Sequence, residues 1–206
     1  MRPEGRQMRE SILAAAVQLF AELGYHAAPL RDIASIAGIQ AASIYYHYAN
    51  KQALLVEIME THMQRLNANL QHILQEQHDP QQCLYAAIAN HIRLHTSYKS
   101  EFFIIDTEIR ALESESRAHI LSLRDQYEVL LQEILRDGME QGVFRQSDVK
   151  VASYAIIAMC TEVANWFRPS GRYTVQQVID IYSQMITHGL LAVRETAQMQ
   201  GESART

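Results

Sequence analysis

The sequence predicts an all-α protein, and three observations lead to this fold class. Apolar residues recur every three to four positions along almost the whole chain, a spacing that places them on one side of an α-helix. No segment alternates apolar and polar residues in the manner of a half-buried β-strand. Only 4 prolines and 8 glycines interrupt the 206 residues, and 48% of the residues are hydrophobic, so long helices and a sizeable core are both expected.

Charge and cysteine content narrow the class of protein. The net charge of −5 argues against a nucleic-acid binder that is positively charged on all sides, although one DNA-facing surface needs only local charge. Cys83 and Cys160 lie far apart without a metal-binding spacing, which is typical of buried thiols in a reducing compartment. No apolar run reaches the ~20 residues of a membrane span. We therefore expect a cytoplasmic protein with no membrane partner.

The first fifty residues are predicted to form three helices. An apolar stripe ends at Gly24, a residue that suits a helix C-terminus. A second helix of two turns begins after Pro29 and ends at Gly38, and a third follows at once over 41–48. This layout is typical of a helix-turn-helix, in which the third helix presents its N-terminal residues to the major groove of DNA.

Longer helices are predicted for the rest of the chain. The next helix begins near Asn50, a plausible N-cap, and the stripes beyond Pro80 predict helices that include 84–91, 102–112, 114–141, 148–167 and 174–194. We divide the chain into a DNA-binding helix-turn-helix domain (1–52), a larger helical effector-binding and dimerisation domain (53–197) and a polar tail (198–206).

The third helix carries side chains suited to reading DNA. Gln40 could read an adenine, and Ala41 could pack on a thymine methyl group. Lys51, at the start of the following helix, lies within reach of a phosphate. The alternative for the tyrosines is ordinary packing in a helical bundle. The predicted DNA-binding residues are Gln40, Ala41, Ser43, Tyr45, Tyr46, His47 and Lys51.

Residues 6–56 resemble the N-terminal domain of the TetR family of repressors. The resemblance rests on four segments in the right order, AAVQLFAELGY (15–25), LRDIASIAGI (30–39), SIYYHY (43–48) and NKQAL (50–54). It implies that Tyr45, Tyr46, His47 and Lys51 occupy positions that usually touch DNA.

The chain departs from the family pattern at the starts of the second and third helices. Ala28-Pro29 stands where a threonine commonly caps the second helix and meets a phosphate, and Ala41 stands where a polar or basic residue is frequent. We therefore expect few ionic contacts to DNA, supplemented by arginines of the N-terminal arm, Arg2, Arg6 and Arg9.

Beyond residue 56 the resemblance is architectural and implies a ligand cavity and a dimer. The last two long helices would pair with those of a second subunit, as suits a two-fold operator. Core packing within one chain would give the same apolar stripes. The residues predicted for the interface are Ala152, Ala155, Ile156, Met159, Val163, Val178, Ile181, Tyr182, Met185 and Gly189.

Several segments resemble a branch of the family that often senses acyl-CoA thioesters, among them 108–112, 138–144 and 165–171. The resemblance implies arginines that meet coenzyme A phosphates and apolar walls that take an acyl chain. The alternative is that the phenylalanines are core residues and the arginines pair with glutamates. Glu162 would serve an anionic ligand poorly, so a neutral or cationic apolar effector remains open. The effector candidates are Phe102, Phe103, Glu108, Arg110, Arg124, Tyr127 and Trp166.

The remaining polar motifs favour binding over catalysis. His91 and His95, four residues apart, could bind a metal, but we favour a polar or pocket-lining role, and we expect His62 to be a hydrogen-bonded interior histidine. No nucleophile–base pair or phosphate loop stands out, so we expect no enzyme, metal or cofactor. The predicted function is a ligand-responsive transcriptional regulator, a repressor released from palindromic operator DNA by an acyl-CoA or other apolar metabolite. The alternative is a helical ligand-binding or adaptor protein that has lost DNA binding.

Overall fold

A computed structural model describes residues 3–192 of the chain, and all regular structure in this part is helical, which confirms the predicted fold class. A 3₁₀ turn (Ile109–Ala111) follows the sixth helix, and a π-helical segment (Ile186–Leu190) follows the ninth. Arg2 and the predicted tail 198–206 lie outside the described residues. Over residues 3–192 no helix has the length and hydrophobicity needed to cross a membrane. The helices are α1 (Pro3–Leu23), α2 (Leu30–Ile36), α3 (Ala41–His47), α4 (Lys51–Glu76), α5 (Pro80–Ser97), α6 (Lys99–Thr107), α7 (Ser114–Glu140), α8 (Val149–Trp166) and α9 (Val175–Met185).

Two glycines form the tight corners of the N-terminal domain, as predicted. Gly24, with φ +80°, ends α1, and Gly38, with φ +72°, lies in the turn between α2 and α3. The turn is closed by the backbone N–H of Ile39, which donates to the carbonyl of Ala34 at 2.9 Å. Because side chains with a Cβ rarely adopt positive φ, these glycines permit the angles at which the three helices meet.

Side-chain caps start α4, α5, α8 and α9, but neither helix of the helix-turn-helix. Asn50 accepts a hydrogen bond from the backbone N–H of Ala53 at 2.8 Å, which confirms it as the N-cap of α4. Asp79, Asp148 and Thr174 cap α5, α8 and α9 in the same way. Helices α2 and α3 begin after Pro29 and Gln40 without a side-chain cap. The departures from the family pattern therefore leave both helix starts uncapped.

The two parts of the molecule share one continuous hydrophobic core. Helices α1, α2 and α3 pack on one another, and α4, α5, α7, α8 and α9 form the larger bundle. Helix α1 also packs against α4 and α6, which join the two parts. The predicted boundary at residues 52/53 falls in the first turn of α4, so this helix belongs to both.

The last helix ends earlier than predicted. The α-helical part of α9 stops at Met185, and the π-helical segment closes with the N–H of Leu191 donating to the carbonyl of Ile186 at 2.8 Å. Arg145 donates hydrogen bonds to two carbonyl oxygens at this end of the chain. Its backbone N–H donates to Leu191 at 3.0 Å, and its guanidinium donates to Leu190 at 3.2 Å. These bonds engage the carbonyl groups that a continued helix would use.

Candidate DNA-binding surface and effector cavity

Helix α3 presents an exposed face of polar and aromatic side chains. Tyr46 is 88% exposed and Tyr45 is 60% exposed, whereas Ile44 is buried in the core. The predicted contacts at the start of the helix, Gln40, Ala41 and Ser43, are exposed as well. His47 is half-buried, with its ring edge-on to that of Tyr46. Large aromatic rings at this level of exposure are available to a partner and add little to the core.

Lys51 lies beside this face, but the protein itself engages its ammonium group. Nζ donates to the carbonyl oxygens of Tyr25 at 2.7 Å, His26 at 3.2 Å and Ala28 at 3.0 Å. It also lies 4.6 Å from the centre of the Tyr25 ring, and burial lowers its pKa. Lys51 therefore fastens the loop between α1 and α2 to the start of α4. A phosphate contact by the same group stays a prediction.

The neighbouring arginines are engaged too. Arg9 forms a partly buried ion pair with Glu57 on α4, and Arg6 pairs with Glu10 at 3.1 Å on the surface of α1. The segment 40–50 contains no lysine or arginine. Helix α3 itself is therefore polar and aromatic, in keeping with the expectation of few ionic contacts, whereas Arg6 on α1 and Arg31 on α2 remain exposed.

The larger bundle forms a cavity of about 310 Å³ between α4, α5, α6, α7 and α8, which opens to solvent beside the exposed residues Asp106, Asp125 and Tyr154. This volume lies at the lower end of the range of pockets that bind small molecules. Much of the wall is apolar or aromatic, with contributions from Met63, Leu66, Phe102, Ile105, Tyr127 and Ile157. The cavity can therefore hold a compact, mainly apolar molecule.

Three of the seven predicted effector residues line this cavity: Phe102, Arg124 and Tyr127. The guanidinium of Arg124 donates to the carbonyl of Ile105 at 3.1 Å, and burial lowers its pKa. Tyr127 is buried, and its hydroxyl lies 2.9 Å from Nδ1 of His91. The sequence thus identified one wall of the cavity, formed by α6 and α7.

The structure places the other four predicted effector residues outside the cavity. Phe103 is 44% exposed, since adjacent positions on a helix point about 100° apart and Phe102 takes the inward one. Arg110 is exposed on the 3₁₀ turn. Trp166 is exposed at the end of α8, against Phe167. The remaining residue, Glu108, turns towards the N-terminal domain and accepts a hydrogen bond from the backbone N–H of Tyr25 at 3.2 Å.

Three histidines line the cavity and were not among the predicted effector contacts. His91 and His95 stack with ring centres 4.1 Å apart, and His62 lies edge-on to His95 at 5.3 Å. His91 bonds through Nδ1 to Tyr127 and through Nε2 to the hydroxyl of Thr161, at 2.9 and 3.0 Å. The pocket-lining role proposed for His91 and His95 agrees with this position. The sequence signal for this position is the spacing of four residues between His91 and His95, which places both on the buried apolar stripe of α5.

The expectation of a hydrogen-bonded His62 was wrong. The side chain is 2% exposed, and neither ring nitrogen has a hydrogen-bond partner within residues 3–192. Burial, followed by the positive fields of His95, Arg65 and Arg124, lowers the pKa of His62 to about 3. Burial likewise lowers the pKa of His95 to about 4. Both rings are therefore neutral near pH 7.

Helices α8 and α9 have two apolar faces, one buried and one exposed. Four residues predicted for the subunit interface, Ala152, Ile156, Val163 and Val178, lie in the core of the same chain. That part of the prediction was wrong, because stripe spacing does not tell a core-facing side from an interface. Exposed apolar residues of these helices are Val151, Trp166, Ile181 and Met185, and Tyr154 is exposed where the cavity meets the surface.

A helix-turn-helix with an exposed third helix, joined to a bundle that contains a cavity, defines the class of ligand-responsive DNA-binding regulators. The chain belongs to the TetR family. Residues 12–58 match the family model for bacterial regulatory proteins of the tetR family, and residues 77–190 match the tetracyclin repressor-like C-terminal domain. Together the matches span both parts of the fold.

The similarity to individual family members extends over nearly the whole chain. The HTH-type transcriptional repressor KstR2 of Rhodococcus jostii is 29% identical over 184 residues, which cover 88% of this chain and 90% of that protein. The crystal structure of the TetR family regulator PfmR from Thermus thermophilus superimposes with a TM-score of 0.81, at 35% identity over 87% of this chain and 98% of that one. The crystal structure of AibR in complex with isovaleryl coenzyme A and operator DNA has a TM-score of 0.80 at 29% identity, with the same coverage.

Proposed function

We propose that this protein is an effector-responsive transcriptional repressor that acts in the cytoplasm and binds palindromic operator DNA as a homodimer. The observation that carries the proposal is the exposed Tyr45–Tyr46 face on α3, joined through a continuous core to a ligand-sized cavity. Two copies of α3 would enter successive major grooves, about 34 Å apart, as in two-fold helix-turn-helix dimers. The exposed apolar face of α8 and α9 supports the pairing of subunits.

Helix α6 provides the connection through which an effector would act. Phe102 and Ile105 line the cavity from this helix, and Glu108 at its end binds the Tyr25 amide in the loop that leads into α2. Lys51 holds the same loop from α4. An effector that favours a shifted α6 would reposition α2 and α3 and lower DNA affinity by its coupling free energy.

The relatives support a small acyl-CoA or other apolar metabolite as the effector. The AibR complex contains isovaleryl coenzyme A, a short branched acyl group on a polyanionic carrier. In this chain Phe102, Arg124 and Tyr127 would contact the effector, with Arg124 as the cation of the cavity wall.

Operator binding tests the DNA-binding surface. Fluorescence anisotropy with DNA that flanks the protein's own gene should detect salt-dependent binding by the wild type. Tyr46→Ala should weaken it by about tenfold, because the substitution removes the most exposed ring of α3. Tyr173→Ala removes an exposed ring far along the chain from α3 and should bind like the wild type.

The same measurement decides between the repressor and a helical adaptor that has lost DNA binding. The absence of lysine and arginine from 40–50 is the observation that favours the adaptor. If none of the flanking fragments binds with salt dependence, the adaptor is the better description. If the wild type binds and Tyr46→Ala binds equally well, a different surface reads the DNA.

A further inference from the structure

We propose that the cavity recognises its effector through an uncharged hydroxyl group, held between His62 and His95. The inference rests on the proposed function, because it names the chemistry of the effector that the same cavity would bind. The proposal concerns the polar end of the effector, and its test does not require the operator sequence.

His95 offers the cavity a hydrogen-bond acceptor. Its Nδ1 lies 3.0 Å from the backbone carbonyl of His91, and a carbonyl oxygen can only accept, so Nδ1 carries the proton. In the neutral ring Nε2 then holds a lone pair, and no described residue donates to it. A ligand group placed against this nitrogen must therefore donate a hydrogen bond.

His62 supplies the complementary donor. A neutral imidazole has one N–H and one lone pair, and both nitrogens of His62 are buried without a partner in the described part of the chain. Unpaired buried polar groups destabilise a folded protein, so a ligand that pairs them gains that free energy on binding. The two rings pack edge-on with centres 5.3 Å apart, and the nitrogens of His62 are closed off from the cavity. On binding, His62 would turn so that one hydroxyl donates to Nε2 of His95 while its oxygen accepts from the N–H of His62.

The other polar groups of the cavity disfavour an anion at this position. His91 uses both ring nitrogens on Tyr127 and Thr161, so it contributes no free donor. Neutral rings cannot compensate the charge of a buried carboxylate. Arg124 is the single arginine or lysine of the lining, whereas the lining contains three carboxylates, Asp106, Asp125 and Glu128. A ketone is also unsuited, because it cannot donate to His95.

The apolar wall defines the rest of the ligand. Leu66, Phe102 and Ile157 line the same cavity as the histidines, and its volume of about 310 Å³ favours a compact ligand body. Two kinds of molecule carry this chemistry. One is a free alcohol, and the other is the hydroxylated acyl part of a thioester whose coenzyme A lies outside the cavity.

Matched probes test the hydroxyl preference by isothermal titration calorimetry on the full chain without DNA. Cyclohexanol should bind about tenfold more tightly than cyclohexanone or cyclohexanecarboxylate, since only the alcohol satisfies both histidines. Cyclohexanecarbonyl coenzyme A and its 4-hydroxy derivative form the second set. If cyclohexanol binds more tightly than the ketone and the carboxylate, the effector is a free alcohol. If the 4-hydroxy thioester binds more tightly than the unsubstituted thioester, the effector is a hydroxylated acyl thioester. Equal or tighter binding of ketone or carboxylate, or no binding by any probe, would overturn the proposal.

Substitution of His62 separates a binding role from a structural one. His62→Leu should abolish the hydroxyl preference and raise the unfolding temperature of the unliganded protein, because it replaces two unpartnered nitrogens with apolar surface of similar volume. His72→Leu makes the same change at an exposed position of α4 and should leave the hydroxyl preference intact. A retained preference in His62→Leu, or a lower unfolding temperature, would overturn the proposal. Operator binding, measured separately, shows whether the proposed function stands in either case.

Discussion

Lys51 illustrates how one lysine beside a DNA-binding helix can serve the fold. Its ammonium group donates to three carbonyl oxygens of the α1–α2 loop. Those oxygens lie where the chain leaves α1 and turns towards α2, so the bonds set the position at which α2 begins. At the residue scale, a position that the family resemblance assigns to DNA also has a structural task.

Lys51→Met tests which task dominates. The substitution keeps the apolar stem and removes the donors, so we expect the free energy of unfolding to fall by about 1 kcal/mol. Operator affinity should also fall, through displacement of the loop, while the dependence of log affinity on log salt concentration stays unchanged. Urea unfolding and anisotropy at several salt concentrations measure both quantities, with Lys99→Met as the control. If stability is unchanged and the salt slope drops by about 1, the ammonium group binds a phosphate instead.

At the scale of helices, α6 has a distinctive position. One of its faces lines the cavity through Phe102 and Ile105, and its C-terminal end contacts the N-terminal domain through Glu108. The helix is 9 residues long and packs against α1, so a small rotation at the cavity reaches the loop before α2. A helix placed in this way would connect the two proposed sites without any contact between a ligand and DNA.

Glu108→Ala tests this connection. The change removes the acceptor of the Tyr25 amide, which should then exchange its hydrogen about fivefold faster, as expected for the loss of one ordinary hydrogen bond. Glu108→Gln retains an acceptor oxygen and should keep the protection of the wild type. Hydrogen–deuterium exchange resolved at residues 24–30 provides the measurement. Equal protection in all three proteins would mean that the contact does not hold the loop.

At the scale of the whole molecule, the buried histidines make stability depend on pH. In the unfolded chain a histidine titrates near pH 6.5, whereas burial lowers the pKa of His62 to about 3 and that of His95 to about 4. Between about pH 4 and pH 6.5, His62 and His95 bind protons in the unfolded chain but not in the folded chain. The free energy of unfolding therefore falls as the pH decreases from 6.5 towards 4, and the stabilisation is fully present above pH 6.5.

Urea unfolding between pH 4.5 and 7 measures this dependence. Each such histidine contributes a slope of about 1.4 kcal/mol per pH unit well below pH 6.5. His62→Leu should reduce the total slope by that amount, whereas His72→Leu, at an exposed position, should keep the slope of the wild type. If the slope in His62→Leu equals that of the wild type, His62 gains its proton equally well in both states.

The sequence by itself determined the class of the fold and most of its helices. Helical period, a glycine at each tight corner and the cap at Asn50 are local signals, since each depends on a few neighbouring residues and the backbone conformation that they allow. For the same reason the exposed face of α3 was predictable. Its one buried position, Ile44, continues the apolar stripe, and the residues around it cannot all turn inward on so short a helix.

Only the tertiary structure decided which of these residues meet. His62 comes from α4 and His95 from α5, and no spacing along either helix indicates that their rings lie 5.3 Å apart. The outward position of Phe103 and the turn of Glu108 towards Tyr25 also depend on the angle at which α6 packs against its neighbours. The spacing of apolar residues along one helix predicts which side is buried, but only the packing between helices decides which residues that side contacts. The cavity and its polar groups therefore emerged only from the packed bundle.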